Sequence, residues 1–206
     1  MHQLTSFSRF ATCLGRIIQH SPSDRVQRME ITCSPITAEH LEGNVGLRAL
    51  REVIATELSD ERGGPLFLAE AIRTTIETMV EVVADDQAHL LGAFGDGALI
   101  GWAYVRLHTL PDNRLLGIID ELAVHPDGRQ IGAGELLLEH VLAWCRTKSC
   151  IGVDSYALPG ARETKNFFET FGMKARLLTV HVPLLDPATP LRLPGSNTAM
   201  PTAEPA

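Results

Sequence analysis

Apolar residues recur along this chain in two kinds of pattern, and the changes between them mark its elements. Residues 30–36 read as a short strand ended by Pro35, with Thr37 behind it as a helix N-cap. Leu47, Leu50, Ile54 and Leu58 then repeat at helical spacing up to the ERGGP break at 61–65. A second helical stripe holds Leu68, Ile72, Ile76, Met79 and Val83. The chain turns strand-like over 88–94, Gly95-Asp96-Gly97 supplies a tight hairpin turn, and 98–107 is the returning strand. PDNR at 111–114 leads into a third strand, 115–124. From Gly132 a helix presents Leu138, Val141, Leu142 and Cys145 on one face, and 150–156 is the next strand. Thr164, Phe167, Phe168 and Phe171 mark a further helix stopped by Gly172, and 177–183 is a last strand. The order β-α-α-β-β-β-α-β-α-β specifies an α/β fold on a mixed, mostly antiparallel sheet flanked by helices, with no internal repeat.

Both ends differ from this patterned middle. Residues 1–28 mix polar, basic and isolated apolar positions and read as a flexible extension. From Asp186 the chain holds five of its twelve prolines and almost no large apolar residues, so residues 186–206 cannot repay the entropy of ordering. The folded domain is expected over 29–185.

Composition narrows the function classes. With 206 residues, 45% apolar and 21% charged, the chain can bury a sizeable core, which excludes a wholly disordered protein. No apolar run reaches the roughly 18 residues that a membrane span requires. Eighteen basic against 25 acidic residues leave a net charge of −7, which argues against coating a nucleic acid. The four cysteines, Cys13, Cys33, Cys145 and Cys150, form no CxxC pair and no zinc-ligand spacing. Reduced thiols and the absence of a secretory leader pattern in the first twenty residues lead to a cytoplasmic expectation.

The chemistry concentrates between Ile118 and Cys145. A strand there enters the loop Arg129-Gln130-Ile131-Gly132-Ala133-Gly134, which opens directly into an amphipathic helix. The first turn of a helix carries backbone N–H groups without intrahelical partners, and its dipole favours anions. Glycines at 132 and 134 let a bulky phosphate approach the backbone without meeting a Cβ. Neither GxxxxGK[ST] nor GxGxxG fits the spacing, which excludes a triphosphate P-loop and a dinucleotide fingerprint. The bland alternative is a glycine-cornered connection that only turns the chain.

This R-x-x-G-x-G loop after Leu122-Ala123-Val124-His125-Pro126 resembles motif A of the GNAT superfamily, the N-acetyltransferases that use acetyl-CoA. The string Asn166-Phe167-Phe168-Glu169-Thr170-Phe171-Gly172-Met173 is similar to motif B of the same family, one strand further on. The resemblance covers about 29–183 and implies several roles. Backbone groups of Leu122, Ala123 and Val124 would hold the pantetheine arm as a pseudo-strand. Amides of Arg129, Gln130, Ile131, Gly132, Ala133, Gly134 and Glu135 would surround the pyrophosphate, with the Arg129 side chain as an added cation. A backbone N–H near Leu122 to Val124 would polarise the thioester carbonyl.

An amine with an unperturbed pKa of about 10.4 is charged at neutral pH, so its attack needs a base. Asp120 and Glu121 precede Leu122, and strand alternation puts them on opposite faces, so at most one faces the active cleft. The resemblance, with an acid in this neighbourhood in many members, favours Glu121 as the base, acting directly or through a water. A salt-bridged structural acid is the competing reading of either. Many relatives protonate the departing thiolate with a motif B tyrosine, whose matching position here is Phe168, which has no proton to give. Ala161 and Thr164 stand where relatives often carry Asn and Ala. Tyr156, at the end of the preceding strand, is the substitute candidate, with Ser155 a weaker one. His125 fits a turn cap, and His108 and His181 lie near strand ends where substrate loops could pass.

The implied activity is acetyl transfer from acetyl-CoA to an amine-bearing acceptor, either a protein lysine or a small molecule. No nucleic-acid or membrane partner and no metal is expected. Two other classes stay open: a catalytically weak GNAT-fold module that holds acyl-CoA, motivated by Phe168, and an α/β domain acting through protein contacts. In the family the acceptor site forms around 55–75 and 174–180, where Glu57, Asp60, Glu61 and Glu70 could attract a cation. The fold also admits a homodimer through its last strands.

Overall fold

A computed structural model describes residues 30–42, 46–58, 66 and 74–180. The chain divides into two compact units, Met1–Arg162 and Glu163–Ala206. The predicted extension over 1–28 and tail over 186–206 lie outside the described residues, as do Leu68 and Ile72.

The first unit is a five-stranded sheet in the order β1-β2-β3-β4-β5. Its strands are β1 (Ile31–Pro35), β2 (Ala88–Gly95), β3 (Ala98–Thr109), β4 (Leu115–Val124) and β5 (Val153–Ser155). The first four run antiparallel in sequence, and β5 joins β4 in parallel. The β2–β3 hairpin closes on Asp96 and Gly97 with φ +48° and +81°. Two positive φ values match the right-handed twist of the strands, which is why an Asp-Gly pair turns this corner.

Helices α1 (Leu47–Ala55) and α2 (Ile76–Ala84) cover one face. Leu47 and Leu50 of α1 and Ile76 and Met79 of α2 pack with Leu90, Trp102 and Tyr104 from the sheet. Thr75 caps α2, its Oγ1 accepting the Thr78 N–H at 3.2 Å. Thr37 caps only a three-residue 3-10 turn, Ala38–His40. Helix α3 (Ala133–Thr147) packs against β2, β3 and β4. Its buried residues are Ala133, Leu137, Leu138, Val141 and Cys145, so the stripe read from the sequence gains Leu137 in place of the partly exposed Leu142. A Cβ on Gly117 of β4 would stand 2.6 Å from Cys145 Sγ, so only glycine lets α3 sit this close. Gly117 therefore faces α3, and its neighbour Ile118 faces α1 and α2.

The second unit begins within α4 (Arg162–Thr170). Phe167 stacks edge-on against Phe168 with centroids 5.3 Å apart, and lies 5.6 Å from Phe171. Gly172, at φ +77°, ends the helix as its position predicts, its N–H donating to the Glu169 carbonyl at 2.9 Å. Of the expected last strand, residues 177–180 pair with no strand among the described residues, and 181–183 lie outside them. Leu177, Leu178 and Val180 are 80%, 77% and 84% exposed. Their apolar pattern suits a strand, but a strand needs a neighbour for its backbone groups, and no described strand supplies one. Among the described residues no helix is long and apolar enough to cross a membrane.

Candidate active site

Strand β4 is one residue too long for its partner, and this sets the geometry of the site. Tyr104 of β3 stands opposite Glu121, while the next residue, Val105, stands opposite Ile119, so Asp120 is the extra residue of a β-bulge. Without the bulge, alternation would send Asp120 and Glu121 to opposite faces. With it, Asp120 keeps the side of Ile118 and Arg106, and Glu121 takes the side of Tyr104 and Trp102, which is the same side. The two carboxylates therefore share the face covered by α1 and α2, and the expectation that only one could reach a cleft there is corrected.

Their surroundings differ. Glu121 Oε1 accepts from Arg51 Nη2 at 2.6 Å, and its Oε2 accepts from Trp102 Nε1 at 2.8 Å. Arg51 Nη2 also donates to the Thr74 carbonyl at 3.2 Å, which ties α1 and the approach to α2 onto β4. The Glu121 and Arg51 side chains are 12% and 17% exposed, so this ion pair is largely buried. Asp120 Oδ2 accepts from Arg106 Nε at 2.6 Å, while its Oδ1 has only a 3.4 Å contact with Arg106 Nη2. Burial pushes both carboxyls above their ordinary values, against the lowering effects of Arg51 and Trp102 on Glu121 and of Arg106 on Asp120. Burial and the charge of Asp120 likewise raise the Tyr104 hydroxyl.

The bulge coincides with a fork in the sheet. Strand β5 pairs with β4 only at Gly117, Ile118 and Ile119, the last opposite Ser155. Beyond that point Leu122, Ala123 and Val124 have β3 on one side and no strand on the other among the described residues. Asp120 follows the last paired residue on one arm, and Tyr156, 52% exposed, follows it on the other.

The loop beyond β4 is shaped by its backbone. His125 caps the 3-10 turn Pro126–Gly128, its Nδ1 accepting the Asp127 N–H at 3.3 Å, which is the turn-capping role. Gln130 and Gly132 adopt φ +64° and +93°. A side chain at Gly132 would be strained by that conformation, although no atom lies within 4 Å of its Cβ position. The first intrahelical bond of α3 runs from the Leu136 N–H to the Gly132 carbonyl at 3.0 Å, and no side chain caps the helix. The amides of Ala133, Gly134 and Glu135 therefore have no intrahelical acceptor, at the positive end of a 15-residue helix. Ile131 is 41% exposed. Arg129 turns back, its Nε donating to the Val124 carbonyl at 3.2 Å and its Nη2 to Glu57 Oε2. His108 is exposed at the end of β3, and His181 is outside the described residues.

Residues 49–173, more than half of the chain, match the model of the acetyltransferase (GNAT) family. The chain belongs to that family. It is an acetyltransferase by membership, and its sheet and flanking helices have the family's fold. Solved structures with this fold include glucosamine-6-phosphate N-acetyltransferase from Arabidopsis thaliana, at 15% identity and TM-score 0.53, covering 75% of this chain and 99% of that one. A putative acetyl transferase from Pyrococcus furiosus aligns at 18% identity and TM-score 0.54, covering 75% and 100%. AAC(6')-Iy, in complex with the bisubstrate analogue CoA-S-monomethyl-acetylneamine, aligns at 19% identity and TM-score 0.53, covering 75% and 99%. Among curated proteins no sequence matches.

Arg51, Trp102 and Arg106, which hold the two carboxylates, are the residues that sequence reasoning missed in this GNAT acetyltransferase, and Glu57, read there as able to attract a cation, pairs with Arg129. One signal was present. Arg51 falls within the Leu47, Leu50, Ile54 stripe, and a charge on an apolar helix face calls for a buried partner. The indole N–H of a strand tryptophan makes a similar demand.

Proposed function

We propose that this protein transfers an acetyl group from acetyl-CoA to a primary amine, borne by a protein lysine or a small molecule. The observation that carries the reading is the fork beside β4, which leads to the uncapped N-terminus of α3 past two carboxylates on one face. When bound, acetyl-CoA supplies the acetyl thioester. Its pantetheine arm suits the open edge of Leu122, Ala123 and Val124, and its pyrophosphate suits the amides between Arg129 and Glu135. The open space at Gly132 supports that fit.

In this reading the Asp120 carboxylate accepts the proton of the incoming ammonium. Its Oδ1 is only loosely engaged, whereas both Glu121 oxygens are held by Arg51 and Trp102. Burial, by raising the Asp120 carboxyl, brings it closer to the working range of a base. Glu121 then orients α1 against β4. The new N–C bond would form as the C–S bond breaks, and the acylated nitrogen would lose its second proton to solvent. The departing thiolate would take a proton from Tyr156 or from solvent, since a thiol near pKa 8.5 is a fair leaving group. The reduced cysteines support a cytoplasmic setting, with Cys33, Cys145 and Cys150 all free.

The test is a coenzyme A release screen that presents lysine peptides and small amines side by side. Release that depends on a primary amine is the expected result. Saturable acetyl-CoA binding without release across the panel would turn the reading toward the acyl-CoA-binding module that Phe168 suggests.

A further inference from the structure

The side chains of Arg129 and Glu57 meet although they lie 72 positions apart in the chain. Glu57 follows the end of α1, its N–H donating to the Ile54 carbonyl at 3.0 Å. Arg129 belongs to the loop that opens α3, and its guanidinium also donates to the carbonyl of Val124, the last residue of β4. One guanidinium therefore ties together the end of the acceptor-side helix, the end of the open β4 edge and the loop before the helix N-terminus. Arg51, two turns earlier in sequence on α1, holds the same helix to Glu121. The two contacts differ in strength. The Arg51 pair is mostly buried, whereas Arg129 and Glu57 are 44% and 35% exposed, where water weakens an ion pair and little is lost on parting.

A diphosphate offers a guanidinium two adjacent anionic oxygens and more charge than one carboxylate. We propose that Glu57 is a gate on the cofactor loop: it holds the Arg129 guanidinium, and the pyrophosphate of coenzyme A must displace it. This rests on the acetyl-CoA reading given above. Binding of the cofactor then unties the end of α1 from the loop and frees a carboxylate on the side where the cationic acceptor arrives. Glu57 thus opposes cofactor binding, although it lies in the first half of the chain and outside the loop that holds the phosphates.

The test is calorimetric titration of coenzyme A into the full chain, its Glu57→Gln and Arg129→Gln variants, and the double variant, with thermal melts to verify folding. Glu57→Gln should tighten binding by about twofold to fivefold, the range an exposed ion pair commands. Arg129→Gln should weaken it, and in the double variant the Glu57 change should no longer help, because the two residues act as one unit. Displacement of coenzyme A by inorganic pyrophosphate should sharpen in Glu57→Gln by a similar factor. A merely structural Glu57 would leave affinity unchanged or lower it, and either result overturns the gate, as does tightening that persists without Arg129. Failure of the unaltered protein to bind coenzyme A at all would overturn the acetyl-CoA reading itself, and the gate with it.

Discussion

Arg51→Ala should destabilise the folded protein by about 3–5 kcal/mol at neutral pH, the usual cost of leaving one member of a buried ion pair without the other. Arg51 and Glu121 are 17% and 12% exposed and meet at 2.6 Å, so water cannot replace the lost charge cheaply. The same change also strips the Thr74 carbonyl of a donor and loosens α1 from β4. Removing both charges is expected to be milder: Arg51→Met with Glu121→Gln keeps the Trp102 hydrogen bond and should recover most of the loss. The deficit carries a pH signature. Burial already holds the Glu121 carboxyl above its ordinary 4.5 while Arg51 pulls it down, so losing Arg51 raises it further. A carboxyl raised in the folded state takes up a proton more readily than in the unfolded chain, so its penalty grows as pH rises through the folded value. The gap between Arg51→Ala and the unaltered protein should therefore narrow as pH falls from neutral toward the ordinary carboxyl range. Urea unfolding at a series of pH values measures it, and a gap that is constant with pH would show that Glu121 does not cause it.

Asp120→Asn should lower kcat/KM for an amine acceptor by about 10²- to 10⁴-fold near neutral pH, the span of general acid–base catalysis. The amide still offers an oxygen to Arg106 Nε, so the bulge and its neighbours should keep their places. What it cannot do is take a proton from the ammonium. The loss should shrink as pH climbs toward the amine's own value of about 10.4, where the acceptor arrives already neutral. A structural defect would show no such recovery. Glu121→Gln should leave a larger share of activity with no recovery at high pH; if it carries the pH-dependent loss instead, the base is Glu121, as the family resemblance implied.

The parts of the fold legible in the sequence were those set by neighbours along the chain. Asp96-Gly97 turns where its positive φ values are needed, β4 spans Leu115–Val124 as read, and Gly172 ends α4. The loop from Arg129 to Gly134 likewise announced the N-terminus of α3. The arrangement of the carboxylates was not legible, because a bulge is a mismatch between two strands and Asp120 is surplus only relative to β3. Arg51 and Glu121 are 70 residues apart, and Trp102 and Glu121 19, so their meeting depends on how α1 lies on the sheet. Residues 177–180 had the pattern of the expected strand, yet pattern alone does not provide a partner edge.

In the proposed binding mode coenzyme A lies along the β4 edge with its pyrophosphate at the start of α3. Titration of acetyl-CoA into the full chain and into a Gly134→Glu variant tests this most directly, because the new carboxylate would stand among the amides of the first helical turn. Saturable binding to one site, abolished by the substitution while the variant stays folded, is the predicted result. Binding that is absent from the unaltered protein, or that survives in Gly134→Glu, would contradict it.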